Sequence, residues 1–88
     1  MTTLQLLPEV LARANSSPYG LAAGLWTRDT TLARRFADRL QAGTVWVDCW
    51  CETDATAPFG GMKQFGYGRE MGREAVAPCS QTKCVWLA

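Results

Sequence analysis

Four glycines fall within the thirteen residues from Pro58 to Glu70, at Gly60, Gly61, Gly66 and Gly68, and they constrain this chain more than any other feature. Glycine costs backbone entropy in a helix or strand and opens positive φ angles that other residues avoid, so no regular element can run through such a stretch. The segment has to be a shaped loop. Phe59, Phe65 and Tyr67 stand among the glycines, with Lys63, Arg69 and Glu70 beside them. A loop carrying these aromatics is expected to be packed rather than floppy, the alternative being a solvated connector that is merely rich in glycine. Phosphate binding is the first chemistry to test. The dinucleotide pattern G-x-G-x-x-G fails because Met71 stands where the third glycine belongs after Gly66 and Gly68. A P-loop fails too, because Lys63 follows Met62 and precedes Gln64.

The chain has 88 residues, 48% of them apolar, which bounds it to one small globular unit. Nine basic and eight acidic residues leave a net charge of +1, so charge gives no argument for nucleic acid or an acidic partner. No apolar run approaches the ~18 residues of a membrane span. The first fourteen residues hold one basic side chain, Arg13, and interpose Pro8 and Glu9, which suits neither a secretory signal nor an Arg-rich transit peptide. A soluble cytoplasmic protein is expected. Histidine is absent, which removes Ser-His-Asp and Cys-His arrangements and speaks against a catalytic zinc site. Cys49 and Cys51 have the wrong spacing for a zinc knuckle, so they and Cys79 and Cys84 read as structural, reduced thiols before metal ligands or disulfides.

Taken in order, Leu7, Val10, Leu11 and Ala14 lay one apolar stripe along a short helix whose first turn would hold Pro8. Tyr19 to Thr27 reads as a strand, with Ala22, Ala23 and Gly24 small enough to imply close neighbours on both faces. Asp29 is a good N-cap for a helix with Leu32, Ala33, Phe36, Ala37 and Leu40 on one face, ended by Gly43 as its C′ residue. Thr44 to Val47 follows as an apolar strand of the kind found in covered parallel sheets. Strand, helix and strand make a right-handed crossover. Beyond the glycine loop, Glu70 to Ala77 suggests a brief helix stopped by Pro78, and Thr82 to Leu87 a last strand. So many elements need more covering layers than this length supplies, which points to a larger assembly.

Several spaced motifs then stand in a telling order. They are Asn15 before Tyr19-Gly20-Leu21-Ala22-Ala23-Gly24, Ala42-Gly43-Thr44-Val45-Trp46-Val47, Pro58-Phe59-Gly60-Gly61-Met62-Lys63, Gly66-Tyr67-Gly68-Arg69-Glu70 and finally Lys83. From about Glu9 to Val85 the chain resembles the C-terminal part of an NAD(P)-dependent aldehyde dehydrogenase. The resemblance implies an α/β fold, a βαβ piece of that family's catalytic domain with a terminal oligomerisation strand, so residues 1–88 would be a partial domain without the cofactor-binding domain. In the family a cysteine thiolate attacks the aldehyde, hydride passes to the nicotinamide, and a glutamate activates the water that hydrolyses the thioester. Those residues belong to segments upstream of the part matched here, and none of the four cysteines occupies the nucleophile's motif.

The resemblance therefore carries over a tunnel wall and an assembly surface, with no catalytic residue, no metal and no cofactor held by this chain alone; NAD or NADP serves the family. Phe59 matches an aromatic facing the aldehyde channel, and Trp50, Cys51 and Thr53 lie where the family varies its substrate preference. Gly60, Gly61, Lys63, Gly66, Gly68, Arg69 and Glu70 match residues that shape the loop near the tunnel mouth. Lys83 to Leu87 matches a segment that joins a neighbouring subunit's sheet. Expected partners are the remainder of a dehydrogenase subunit or intact dehydrogenase subunits, with no nucleic acid and no membrane. Asp48 departs from the family's usual asparagine, Pro78-Cys79 falls where the family has a residue and a tyrosine, and Phe65 replaces a serine, a change expected to overpack the loop by ~1–3 kcal/mol. Two expectations follow: the C-terminal piece of a dehydrogenase, from a truncated or split gene and inactive alone, or a non-catalytic module that adds its last strand to a dehydrogenase oligomer.

Overall fold

A computed structural model describes the backbone of residues 3–88 and the side chains from Leu7 onward. Helix α1, Thr3–Ala14, buries Leu7 and Leu11, while Val10 on the same stripe stays exposed. Pro8 lies inside this helix rather than in its first turn, because the helix already begins at Thr3. Helix α2, Thr30–Arg39, starts where expected: the Asp29 carboxylate accepts from Thr31 N at 2.9 Å and Leu32 N at 3.1 Å. It thereby satisfies two of the donors that a helix start leaves free. The polar side of α2 carries an exposed Arg34–Asp38 pair at 3.1 Å, of the kind that adds little to stability.

The far end of α2 departs from expectation. Leu40, in an extended conformation at φ −76°, caps the helix, and Gly43 has no left-handed φ. Gly43 is small for another reason. A Cβ there would collide with the backbone carbonyl of Gly60 and lie 3.1 Å from the Gly61 Cα. Glycine at 43 is what lets the loop's main chain rest on the start of the following strand.

The expected strand from Tyr19 to Thr27 is broken at Leu21 into β1, Tyr19–Gly20, and β2, Ala22–Leu25. Strand β3, Thr44–Val47, pairs in parallel with β2, from Ala22 opposite Thr44 to Leu25 opposite Val47. Strand β4, Met62–Lys63, pairs antiparallel with β1, Tyr19 opposite Lys63. The β2–α2–β3 crossover is therefore present, and the short β1–β4 pair ties the glycine loop to its entry.

The core lies on one face of the β2–β3 sheet. Leu7 and Leu11 of α1 meet Leu32, Phe36 and Leu40 across the seam, over Ala23, Leu25, Ala42 and Val45. On the opposite face, where Gly24 stands opposite Trp46, the missing side chain leaves a seat for Trp50: a Cβ on Gly24 would come within 2.8 Å of its ring. Trp46 is buried, meets Trp50 edge-on at 5.0 Å and donates its Nε1 hydrogen to Glu52 O at 2.7 Å. Two tryptophans thus cover the face that helices leave open.

The C-terminal part departs most. In place of a helix over Glu70–Ala77 there is one 3₁₀ turn, Arg73–Ala75, and no strand forms over Thr82–Leu87. A strand exists only against a partner's ladder, and the tail has none among the described residues. Trp86 and Leu87 stand 92% and 91% exposed. The Cα radius of gyration is 17.5 Å, against about 12 Å for a compact chain of this length. The molecule is accordingly elongated, 72 × 25 × 21 Å.

Candidate functional site

The Pro58–Glu70 loop is held from both ends. Phe59 and Glu70 exchange backbone hydrogen bonds of 2.7 Å each way, closing the loop at its neck. Inside the neck, Arg69 Nη1 donates to Gly61 O at 2.9 Å and Gly68 O at 2.8 Å. One guanidinium nitrogen thus ties two backbone carbonyls of the loop together. Gly66 takes φ +92°, a region that favours glycine. Gly61 and Gly60 are tight instead: a Cβ on the first would strike Phe65, and on the second Gly68 O. Gly68 meets nothing within 4 Å and has no left-handed φ, and nothing in the structure explains it.

Phe65 does not overpack the loop. Its ring lies outside, 48% exposed, and meets Tyr19 edge-on at 5.3 Å. Tyr67, at the loop tip, is fully exposed at 100%, so the expectation of packed aromatics holds at half-buried Phe59, in part at Phe65 and not at Tyr67. Asp48 is equally well explained. It sits at φ +57°, where Asp and Asn are tolerated, and its carboxylate accepts from Thr27 N at 2.9 Å, joining the ends of β2 and β3. The acceptor oxygen common to aspartate and asparagine is what this position needs.

The four residues expected on a substrate wall do not line one cavity. Phe59, half-buried, shares with Thr53 and Met71 a cleft of about 60 Å³, and also borders an open groove of about 510 Å³ that runs along Gly60, Arg69 and Cys79. Trp50 lines a separate apolar groove of about 410 Å³ with Tyr19, Leu21 and Leu40. Cys51 is exposed at φ +59° and lines none of these three spaces. The smallest cleft is well below the ~300–1,000 Å³ of ordinary ligand pockets, and the larger two are open to solvent. All four cysteines are free, and no group of three or more metal-ligating side chains occurs among the described residues.

Lys63 points away from the wall. Its Nζ donates to Asn15 O at 2.7 Å and Ser17 O at 2.9 Å, just past the end of α1. Asn15 continues the connection, donating to the carbonyl of Arg39, the last residue of α2, at 3.0 Å and accepting from Gln41 N, just beyond it, at 2.8 Å. Spacing alone could not reveal this junction, since its members stand 24 to 48 positions apart.

The polar run before the loop contains a small electrostatic lock. Asp54 accepts from Thr56 Oγ1 at 2.6 Å and Thr56 N at 2.8 Å, and these bonds, the hydroxyl first, hold its carboxyl below the usual value of 3.8. A depressed folded pKa means the turn's stabilisation is present above the unfolded value and is lost as pH falls through the folded one. In a carboxyl-resolved NMR titration, Asp54 is expected to titrate below 3.8 and to return toward it in Thr56→Ala. An unchanged midpoint in that variant would remove the hydroxyl as the cause.

The model of the aldehyde dehydrogenase family matches residues 1–85. The chain belongs to the aldehyde dehydrogenase family. It is 55% identical over 83 residues to DhaS of Bacillus subtilis, covering 94% of this chain and 17% of DhaS. It is 51% identical over 79 residues to a betaine aldehyde dehydrogenase of Cereibacter sphaeroides, covering 90% and 16%. Among solved structures, the NAD+ complex of an aldehyde dehydrogenase from Bacillus cereus superposes with a TM-score of 0.83 at 48% identity, covering 91% of this chain and 16% of that one. The α/β arrangement is thus that of one part of an aldehyde dehydrogenase, and the chain spans about a sixth of the length of these relatives. Among the described residues no helix is long and apolar enough to cross a membrane.

Proposed function

We propose that this chain supplies part of the aldehyde-channel wall and a subunit-assembly surface to an aldehyde dehydrogenase, and that it does not oxidise aldehydes by itself. The observation that carries this reading is the combination of a firmly held loop with unclosed surroundings. Phe59 is fixed at the neck of a braced loop, yet the grooves beside it are open on one side, as walls are when the opposite wall belongs to other segments. The family's reaction is NAD(P)-dependent oxidation of an aldehyde to a carboxylic acid. It calls for a nucleophilic thiolate, a base and a bound nicotinamide, and the family's motifs for these are not among the residues matched here. Phe59 is the channel aromatic in this reading, and Trp50, Cys51 and Thr53 tune which aldehyde fits. Gly60, Gly61, Lys63, Gly66, Arg69 and Glu70 give the loop its shape, and Gly68 joins them on the family's motif alone.

The purified chain, mixed with NAD+ or NADP+ and short or aromatic aldehydes, is expected to reduce no cofactor; sustained reduction would overturn its silence. The wall is tested separately, by transplanting Trp50–Thr53 and Phe59 into a full-length relative. The ratio of kcat/KM between a small and an aromatic aldehyde should shift by about tenfold, the scale of one altered apolar contact in a pocket. An unmoved ratio would dismiss the wall assignment.

The exposed tail supports a second reading, a module that adds strand 82–87 to a dehydrogenase oligomer. An extended peptide with Val85, Trp86 and Leu87 free is suited to joining a sheet edge. Co-purification with a full-length relative at micromolar concentration, lost on removal of residues 82–88, would favour it.

A further inference from the structure

Lys63 adopts φ +57°, a left-handed backbone that disfavours any residue with a Cβ. Glycine is abundant in this loop, and position 63 nonetheless carries a long charged side chain. What that side chain does is specific. Its ammonium reaches the carbonyls of Asn15 and Ser17, where the chain leaves α1 and the negative end of the helix dipole favours a cation. Asn15 in turn holds the backbone at the end of α2, at Arg39 and Gln41. One residue further on, Gln64 N donates to Pro18 O at 3.1 Å. Loop, first helix and second helix therefore meet at one polar junction, and Lys63 is its only contribution from a loop side chain.

We propose that Lys63 is a positioning residue: its ammonium fixes the Pro58–Glu70 loop against the α1–α2 seam, and so sets where Phe59 stands. The role in substrate selection rests on the reading of Phe59 as channel wall; the anchoring itself does not. The strained backbone at 63 is maintained by the two carbonyl bonds, and the left-handed turn aims the side chain at them. Such an anchor acts locally. It governs whether the loop opens as a unit, while the β2–β3 pair keeps its own ladder.

Amide hydrogen exchange on the full chain tests this without aldehyde or cofactor, so its result is independent of the loop-transplant experiment. Lys63→Gly removes the ammonium and relieves the backbone, Lys63→Met removes the ammonium alone, and Lys63→Arg keeps a cation able to reach both carbonyls. Both Lys63→Gly and Lys63→Met are expected to speed exchange at Phe59, Gln64 and Glu70 by about tenfold, as for the loss of a charge-assisted bond at an exposed site. Thr44 and Asp48, whose amides donate to Leu21 O and Leu25 O, should keep their wild-type rates as the reference. Lys63→Arg should restore most of the loop protection. Wild-type or slower loop exchange in Lys63→Gly would show that relief of the backbone outweighs the anchor and would overturn the proposal. Equal acceleration in loop and sheet, or no recovery with Lys63→Arg, would overturn it as well.

Discussion

Gly43→Ala is expected to detach the glycine loop from the rest of the molecule while leaving the two helices in place. A methyl group at 43 collides with the Gly60 carbonyl; the methyl is fixed to its own Cα and its partner is main chain, so no side-chain rotation can relieve it. The backbones must separate, with the loss of the Gly43 N to Gly20 O bond of 3.1 Å beside the clash. Overpacking of a rigid site costs about 1–3 kcal/mol, and a methyl driven against main chain belongs at the upper end. Urea unfolding followed by tryptophan emission should show a midpoint lowered to match. Far-UV circular dichroism at zero denaturant should keep its helical signal. A variant as stable as the parent would mean that strand β3 and the loop do not meet as described.

Phe36→Ala is expected to do the opposite, removing the helices' common anchor. Phe36 is the largest side chain in the cluster formed with Leu7, Leu11, Leu32 and Leu40, and the cluster is the seam between α1 and α2. Truncating a buried phenylalanine costs about 3–5 kcal/mol. Net stability of small proteins is only about 0.05–0.15 kcal/mol per residue, so the loss takes much or all of it. Helical circular dichroism should fall sharply at ambient temperature, in contrast to Gly43→Ala. Retention of a cooperative, wild-type-like transition would show that the seam is not where this chain's stability resides.

The crossover unit was the most legible part of the sequence because its signals are local. Asp29 announces a helix start, Leu32, Ala33 and Phe36 keep one face, and Thr44–Val47 is nearly continuously apolar; each of these appears in the structure where the pattern puts it. Gly43 shows where local reasoning fails. Its position after a helix invites a capping role, whereas its real constraint comes from Gly60, a residue far along the chain. Phe65 misleads in the same way: substitution into a tight loop suggests a clash, but the ring turns outward onto Tyr19. The tail from Thr82 to Leu87 has the composition of a strand and does not form one, since pairing requires an edge that composition cannot supply. Neither the bridge between Phe59 and Glu70 at the loop's neck nor the separation of Trp50 from Phe59 into different grooves could be read from the motifs.

The seat that Gly24 makes for Trp50 divides the labour among the residues proposed for the wall. Trp50 closes the helix-free face of the sheet, so replacing it would also uncover Trp46 and the strands beneath. Cys51 and Thr53 are exposed and support no neighbouring layer, although the left-handed backbone at 51 resists β-branched replacements. Replacement along this stretch thus has two inexpensive positions and one that is tied to the integrity of the scaffold.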